Sequence, residues 1–130
     1  MSVSLLLDTH ALLWWLDGDR RLSTQARALI GDEGNRVLVS AASAWEIATK
    51  VRIGKLPGAV DVAEHFVEWV RQQDFELLSI SAEHARQAGL MPGVHRDPFD
   101  RMLIAQAIVE KVPLVANEEM FDQYGVTRLW

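Results

Sequence analysis

Leu5-Leu6-Leu7-Asp8-Thr9-His10 sets a carboxylate directly behind an apolar strand. A strand that is apolar at consecutive positions belongs to a sheet covered on both faces, which in practice means a parallel sheet flanked by helices. Ligands of such sheets collect outside the carboxyl ends of the strands, where Asp8 lies. The strand runs from Val3 to Leu7. A helix over about His10 to Leu16 follows, and a turn at Gly18 closes it.

The same alternation continues along the chain. Ser23 is placed to cap a helix reaching about Ile30, with a stripe at Leu22, Ala26, Leu29 and Ile30. Val37-Leu38-Val39 is a second apolar strand, and it leads into a helix on Ala44, Ile47, Ala48 and Val51 that stops at Gly54. A fourth helix runs from about Val62 to Gln73 on Val62, Phe66, Trp69 and Val70. Leu77 to Ile80 is the third strand, Ser81 caps a helix to Gly89, and Met91-Pro92-Gly93 turns the chain. The helix beginning at Pro98 is apolar from Met102 to Val109 except at Gln106, so it packs on more than one side. Strand four is Leu114 to Ala116, and a short helix over about Glu118 to Tyr124 and a strand around Thr127 to Leu129 follow. Short links between alternating elements specify an α/β sandwich around a mainly parallel sheet with right-handed crossovers.

The 130 residues, 49% hydrophobic and 24% charged, suit a single domain over 1–130. A chain without cysteine has no disulfide, no thiolate zinc site and no cysteine nucleophile. Its longest apolar runs, such as Ala11 to Leu16 and Val112 to Ala116, fall far short of the roughly 20 residues of a spanning helix, so no membrane span is expected. No basic region precedes an apolar stretch at the N-terminus, which makes a signal peptide unexpected and a cytoplasmic location the default. With 13 Lys and Arg against 18 Asp and Glu, the net charge of -5 disfavours general electrostatic coating of nucleic acid, and any phosphate contact must be local.

Three further acidic stretches fall near the same sheet edge: Glu46, the Asp97/Asp100 pair, and Glu118. Each has a plain structural reading. Asp8 can cap the helix after it, and Glu46 with Lys50 forms an i, i+4 pair worth about 0.2 to 0.5 kcal/mol. Asp97-Pro98-Phe99-Asp100 reads as a helix start, with Glu118 and Glu119 as another. Taken together they read differently, because carboxylates gathered at one edge repel unless a cation balances them. Oxygen-only donors favour magnesium or manganese.

Leu6 to Trp14 (Leu-Leu-Asp-Thr-His-Ala-Leu-Leu-Trp), Ser43 to Ala48 (Ser-Ala-Trp-Glu-Ile-Ala) and His95 to Ala107 (His-Arg-Asp-Pro-Phe-Asp-Arg-Met-Leu-Ile-Ala-Gln-Ala) resemble the PIN-domain ribonucleases, particularly VapC-type toxins. The resemblance runs to the terminal Tyr124-Gly125-Val126-Thr127-Arg128-Leu129-Trp130. It implies a three-layer α/β/α fold with a five-stranded sheet in order 3-2-1-4-5. It further implies that Asp8, Glu46 and Asp100 are catalytic metal-binding acids, with Thr9, Asp97 and Asn117 in support. The family's Thr-x-Asp after strand four is Ala116-Asn117-Glu118 here, so the fourth acid is the longer Glu118 or is replaced by Asn117. The implied activity is hydrolysis of RNA phosphodiesters, in tRNA or other structured RNA, by a water activated on Mg2+ or Mn2+. The implied partners are a VapB-type antitoxin and a second copy of the chain.

Lys50, Arg96 and Arg101 are candidates for RNA phosphates, although solvated surface charge is the plainer reading for each. His10 and His95 read as polar supports, since the implied mechanism needs no imidazole. The five tryptophans read as core or interface packing rather than as base-stacking surfaces. The altered fourth acid leaves one alternative open, a catalytically weak PIN-like module that binds RNA or protein.

Overall fold

The structure is a computed structural model and describes residues 2–93 and 97–130. The strands are β1 (Ser4–Leu7), β2 (Arg36–Ser40), β3 (Glu76–Leu78), β4 (Leu114–Val115) and β5 (Arg128–Leu129). The helices are α1 (Thr9–Asp17), α2 (Thr24–Gly31), α3 (Ala41–Arg52), α4 (Val60–Glu64), α5 (Phe66–Gln72), α6 (Ala82–Leu90) and α7 (Pro98–Glu110). Two 3₁₀ segments, Pro57–Ala59 and Glu119–Tyr124, complete the order.

All strand pairings are parallel, in the order β3-β2-β1-β4-β5. The chain steps outward from β1 to β3 and then returns to the other side of β1, so the order reverses between β1 and β4. Leu7 is in register with Val39 on one side and with Val115 on the other. Three strands therefore end at one level, which brings the residues that follow them together at the reversal point where doubly wound sheets bind ligands.

Period-two alternation sorts the strand side chains between two cores. Leu5, Leu7, Val37, Val39 and Val115 pack with Leu12, Ala26, Ile47, Val62 and Val70, from α1 to α5. Leu6, Leu38 and Leu114 pack with Leu103, Ile104 and Ala107 of α7 and with Phe121. Leu5, Leu6 and Leu7 are each fully buried, a gain of roughly 1.5 to 3 kcal/mol apiece. This anchors β1 at the centre of the sheet and fixes Asp8 behind it.

Some boundaries differ from the sequence reading. The helix expected over Val62 to Gln73 is broken at His65, whose φ of -125° and ψ of 39° leave the helical region. The Asp61 carboxylate spans the break, 3.3 Å from His65 Nδ1 and accepting the Trp69 indole N–H at 2.8 Å. The turn over Glu119–Tyr124 is 3₁₀ rather than α, with Phe121 N–H donating to Glu118 O at 3.1 Å. The third strand starts one residue earlier than expected, at Glu76, whose carboxylate pairs with Arg36 across the β2/β3 edge.

Candidate active site

Asp8 is the N-cap of α1, and its Oδ1 accepts the Ala11 N–H at 2.7 Å. Its own N–H donates to Val115 O at 3.0 Å, so the backbone under the carboxylate is tied to both β1 and β4. The cap reading is thus correct, and it is not the whole role: the cap bond uses one oxygen, and Asp8 also lines the cleft.

Ser40 starts α3 by accepting the Ala42 N–H at 2.9 Å, and its hydroxyl also donates to the buried Gln106 Oε1 at 2.5 Å. This joins the end of β2 to the middle of α7. Glu46 lies one turn further into α3 and is 2% exposed. Its Oε2 is paired with Lys50, while its Oε1 is buried without a hydrogen-bond partner. A buried carboxylate oxygen left unpaired costs on the order of 1 to 3 kcal/mol, more when charged.

Asp97 caps α7, accepting N–H groups from Phe99 at 2.9 Å and Asp100 at 3.1 Å. That cap fixes the turn bearing Asp100. Asn117 and Glu118 follow β4 at the exposed rim. Together Asp8, Glu46, Asp97, Asp100, Asn117 and Glu118 line one open cleft of about 350 Å³. Lys50 lines it too.

The acids act on one another electrostatically. The Asp8 carboxyl is pushed from 3.8 up to about 7, chiefly by burial and further by the charges of Asp100, Glu46 and Glu118, with the Ala11 N–H opposing. Partial burial acts to lower the Lys50 ammonium, but its bond to Glu46 and the charges of Glu46, Asp97 and Asp100 prevail and hold it above its ordinary value. Among the described residues no group of three or more acidic or histidine side chains is drawn together closely enough to hold a metal ion as the side chains stand. The donors still fit a cation: all are oxygens, one is buried and unpaired, and ionising the central one is costly without a positive charge beside it.

Thr9 lies behind the cleft, its Oγ1 2.9 Å from Ser43 Oγ, where it ties α1 to α3. Arg101 bonds the carbonyls of Ala88 and Met91 at the end of α6 and does not line the cleft. Arg96 and His95 lie outside the described residues. Three lining residues were not assigned to the site from sequence. His10 lies tilted against Trp14 at a centroid distance of 5.6 Å, Trp14 meets Trp130 edge-on at 5.8 Å, and Phe121 lines the cleft while almost wholly buried. The signal was present for the first two, since His10 and Trp14 are i, i+4 neighbours on the helix that Asp8 caps.

The PIN domain family matches residues 5–126. The chain belongs to the PIN domain family. Among curated relatives of this PIN domain, it is 29% identical over 126 residues to Ribonuclease VapC22 of Mycobacterium tuberculosis, covering 88% of this chain and 87% of that protein. It is 40% identical over 60 residues to Ribonuclease VapC16 of the same organism, a match that spans 46% of this chain and only 43% of that protein. The crystal structure of VapBC2 from Rickettsia felis bound to a promoter DNA fragment contains a chain with the same fold, at a TM-score of 0.68, 15% identity and 98% coverage of both chains. Among the described residues no helix of this PIN domain is long and apolar enough to cross a membrane.

Proposed function

We propose that this PIN domain, over 1–130, is a metal-dependent endoribonuclease and the toxin half of a toxin–antitoxin pair. The observation that carries the reading is the mutually repelling acid cluster around two buried members, in which Glu46 Oε1 has no partner and Asp8 resists ionisation. Asp8, Glu46 and Asp100 hold Mg2+ or Mn2+, with Glu118 as the outer fourth acid. The chain's own groups prepare these ligands. The Ala11 N–H fixes one Asp8 oxygen, Lys50 holds Glu46 through Oε2 so that Oε1 is presented, and the Asp97 cap orients the turn of Asp100. When bound, a divalent ion supplies a more acidic water and stabilises the charge that develops at phosphorus. Asn117 at the rim is placed to hydrogen-bond the RNA, and among the described residues Lys50 is the one lysine or arginine that lines the cleft.

The partner is a VapB-type antitoxin, and the acidic cleft suits a basic segment of it. The likeness to a chain of the VapBC2 complex and to two proteins named VapC supports this pairing. A homodimer and a cytoplasmic location complete the proposal. The test is purified protein, free of partner, incubated with total RNA and Mg2+ or Mn2+. Cleavage is expected to vanish with chelator and to fall by about a hundredfold or more in Asp8→Asn and Asp100→Asn. Cutting that survives chelation, or binding without cutting, overturns the enzyme reading. Glu118→Gln with unchanged activity removes the fourth acid.

A further inference from the structure

Trp45 differs from the other four tryptophans. Trp14, Trp15, Trp69 and Trp130 are partly buried, and the indole N–H groups of Trp15 and Trp69 donate to Gln73 and Asp61. Trp45 is 58% exposed, and among the described residues its one ring contact is Phe99, at a centroid distance of 4.7 Å and an interplanar angle of 80°. Core packing therefore does not extend to Trp45.

Its position is tied to the acids. Trp45 directly precedes Glu46 on α3, and Phe99 directly precedes Asp100 on α7. The two helices pack together, so the acid pair faces the cleft while the aromatic pair sits one residue further out on the same two elements. Phe99 and Trp45 meet nearly at right angles, and more than half of the Trp45 surface stays exposed. The residues one turn either side of Trp45 on α3 are Ala41, Ala42, Ala48 and Thr49, all short. Seven residues on, along the same stripe, stands the exposed Arg52.

We infer that Trp45, braced by Phe99, is a stacking platform for an unpaired base of the RNA whose phosphodiester lies at the acids. The inference rests on the ribonuclease reading for its substrate. An exposed indole beside the acid-lined cleft suits an unpaired base, which stacks on an aromatic ring whatever its identity. A specific protein interface buries about 800 Å² per partner of mixed polar and apolar surface, so a contact between copies here would show in the molar mass, which the test reads.

The test is binding of fluorescein-labelled oligoadenylate and oligouridylate to the full chain, read by anisotropy. It uses the Asp8→Asn background, so that the probe stays intact. Adenylate is expected to bind more tightly, because purines stack better. Trp45→Ala should weaken it roughly five- to a hundredfold and erase the preference, and Trp45→Phe should restore most of both. Unchanged affinity in Trp45→Ala overturns the platform. So does a change in molar mass by light scattering, which would make the aromatic pair a contact between copies. Failure of metal-dependent cleavage in the wild type, with the base preference intact, sinks the nuclease reading alone.

Discussion

At Asp8 one carboxyl group meets two opposed demands. As a helix cap it gains from being charged, and as a buried neighbour of Asp100, Glu46 and Glu118 it gains from being neutral. The second demand wins, since its value rises from 3.8 to about 7. The folded state thus holds this proton more tightly than the unfolded chain. The associated stability is fully present below about pH 4 and is lost as pH rises through about 7. In chelator, Asp8→Asn keeps an oxygen for the Ala11 N–H and removes the titration. The variant is therefore expected to be more stable than wild type at pH 8, with the gap shrinking by on the order of 2 kcal/mol at pH 5. Urea unfolding at both pH values measures it, and a gap independent of pH would show that Asp8 is not the group responsible. The i, i+4 relation of Glu46 to Lys50 was legible in the chain. The unpaired oxygen was not, because whether a carboxylate is solvated depends on what α3 packs against.

At the scale of elements, α7 shows one residue serving both a helix and a site. Asp97 satisfies two of the N–H groups that the start of a helix leaves open, and the same turn carries Asp100 to the cleft. Asp97→Ala is expected to cost about 1 kcal/mol in thermal or urea unfolding and to weaken activity through the loosened turn, whereas Asp97→Asn, an equally good cap, should hold stability within a few tenths. Equal losses in the two variants would mean that the negative charge, and not the cap, is what α7 needs. The Asp-Pro-x-Asp start was readable because capping is local chemistry, and so was the lone Gln106, which reaches Ser40. The break at His65 was hidden: Val62, Phe66 and Val70 continue one apolar stripe straight across it. Edge strand β3 was misplaced, by one residue at its start and two at its end, for a related reason. Leu77 is 43% exposed, so burial does not mark its ends.

For the molecule as a whole, parallel register and strand order decide where charge accumulates. A chain of net charge -5 could have spread its acids over the surface. Instead, the reversal of strand order between β1 and β4 draws Asp8, Glu46, Asp100 and Glu118 to a single edge, and the fold carries their repulsion. Strand order follows from many weak, distant pairings, which is why it entered the sequence reading through resemblance and not through periodicity. The accumulated repulsion couples folding to a cation and to pH together. A divalent ion that binds only the folded chain stabilises it by about 2.7 kcal/mol at a hundredfold excess over Kd, roughly a 10 °C rise in Tm at this size. Below about pH 7 the ion must displace the Asp8 proton, and apparent affinity falls about tenfold per pH unit. The metal concentration that raises Tm by about 10 °C at pH 8 should accordingly raise it by only about 2 °C at pH 5, and by little at either pH in Asp8→Asn. Calorimetry with Mn2+ at the two pH values measures the difference, and an equal rise at both would place the ion away from Asp8.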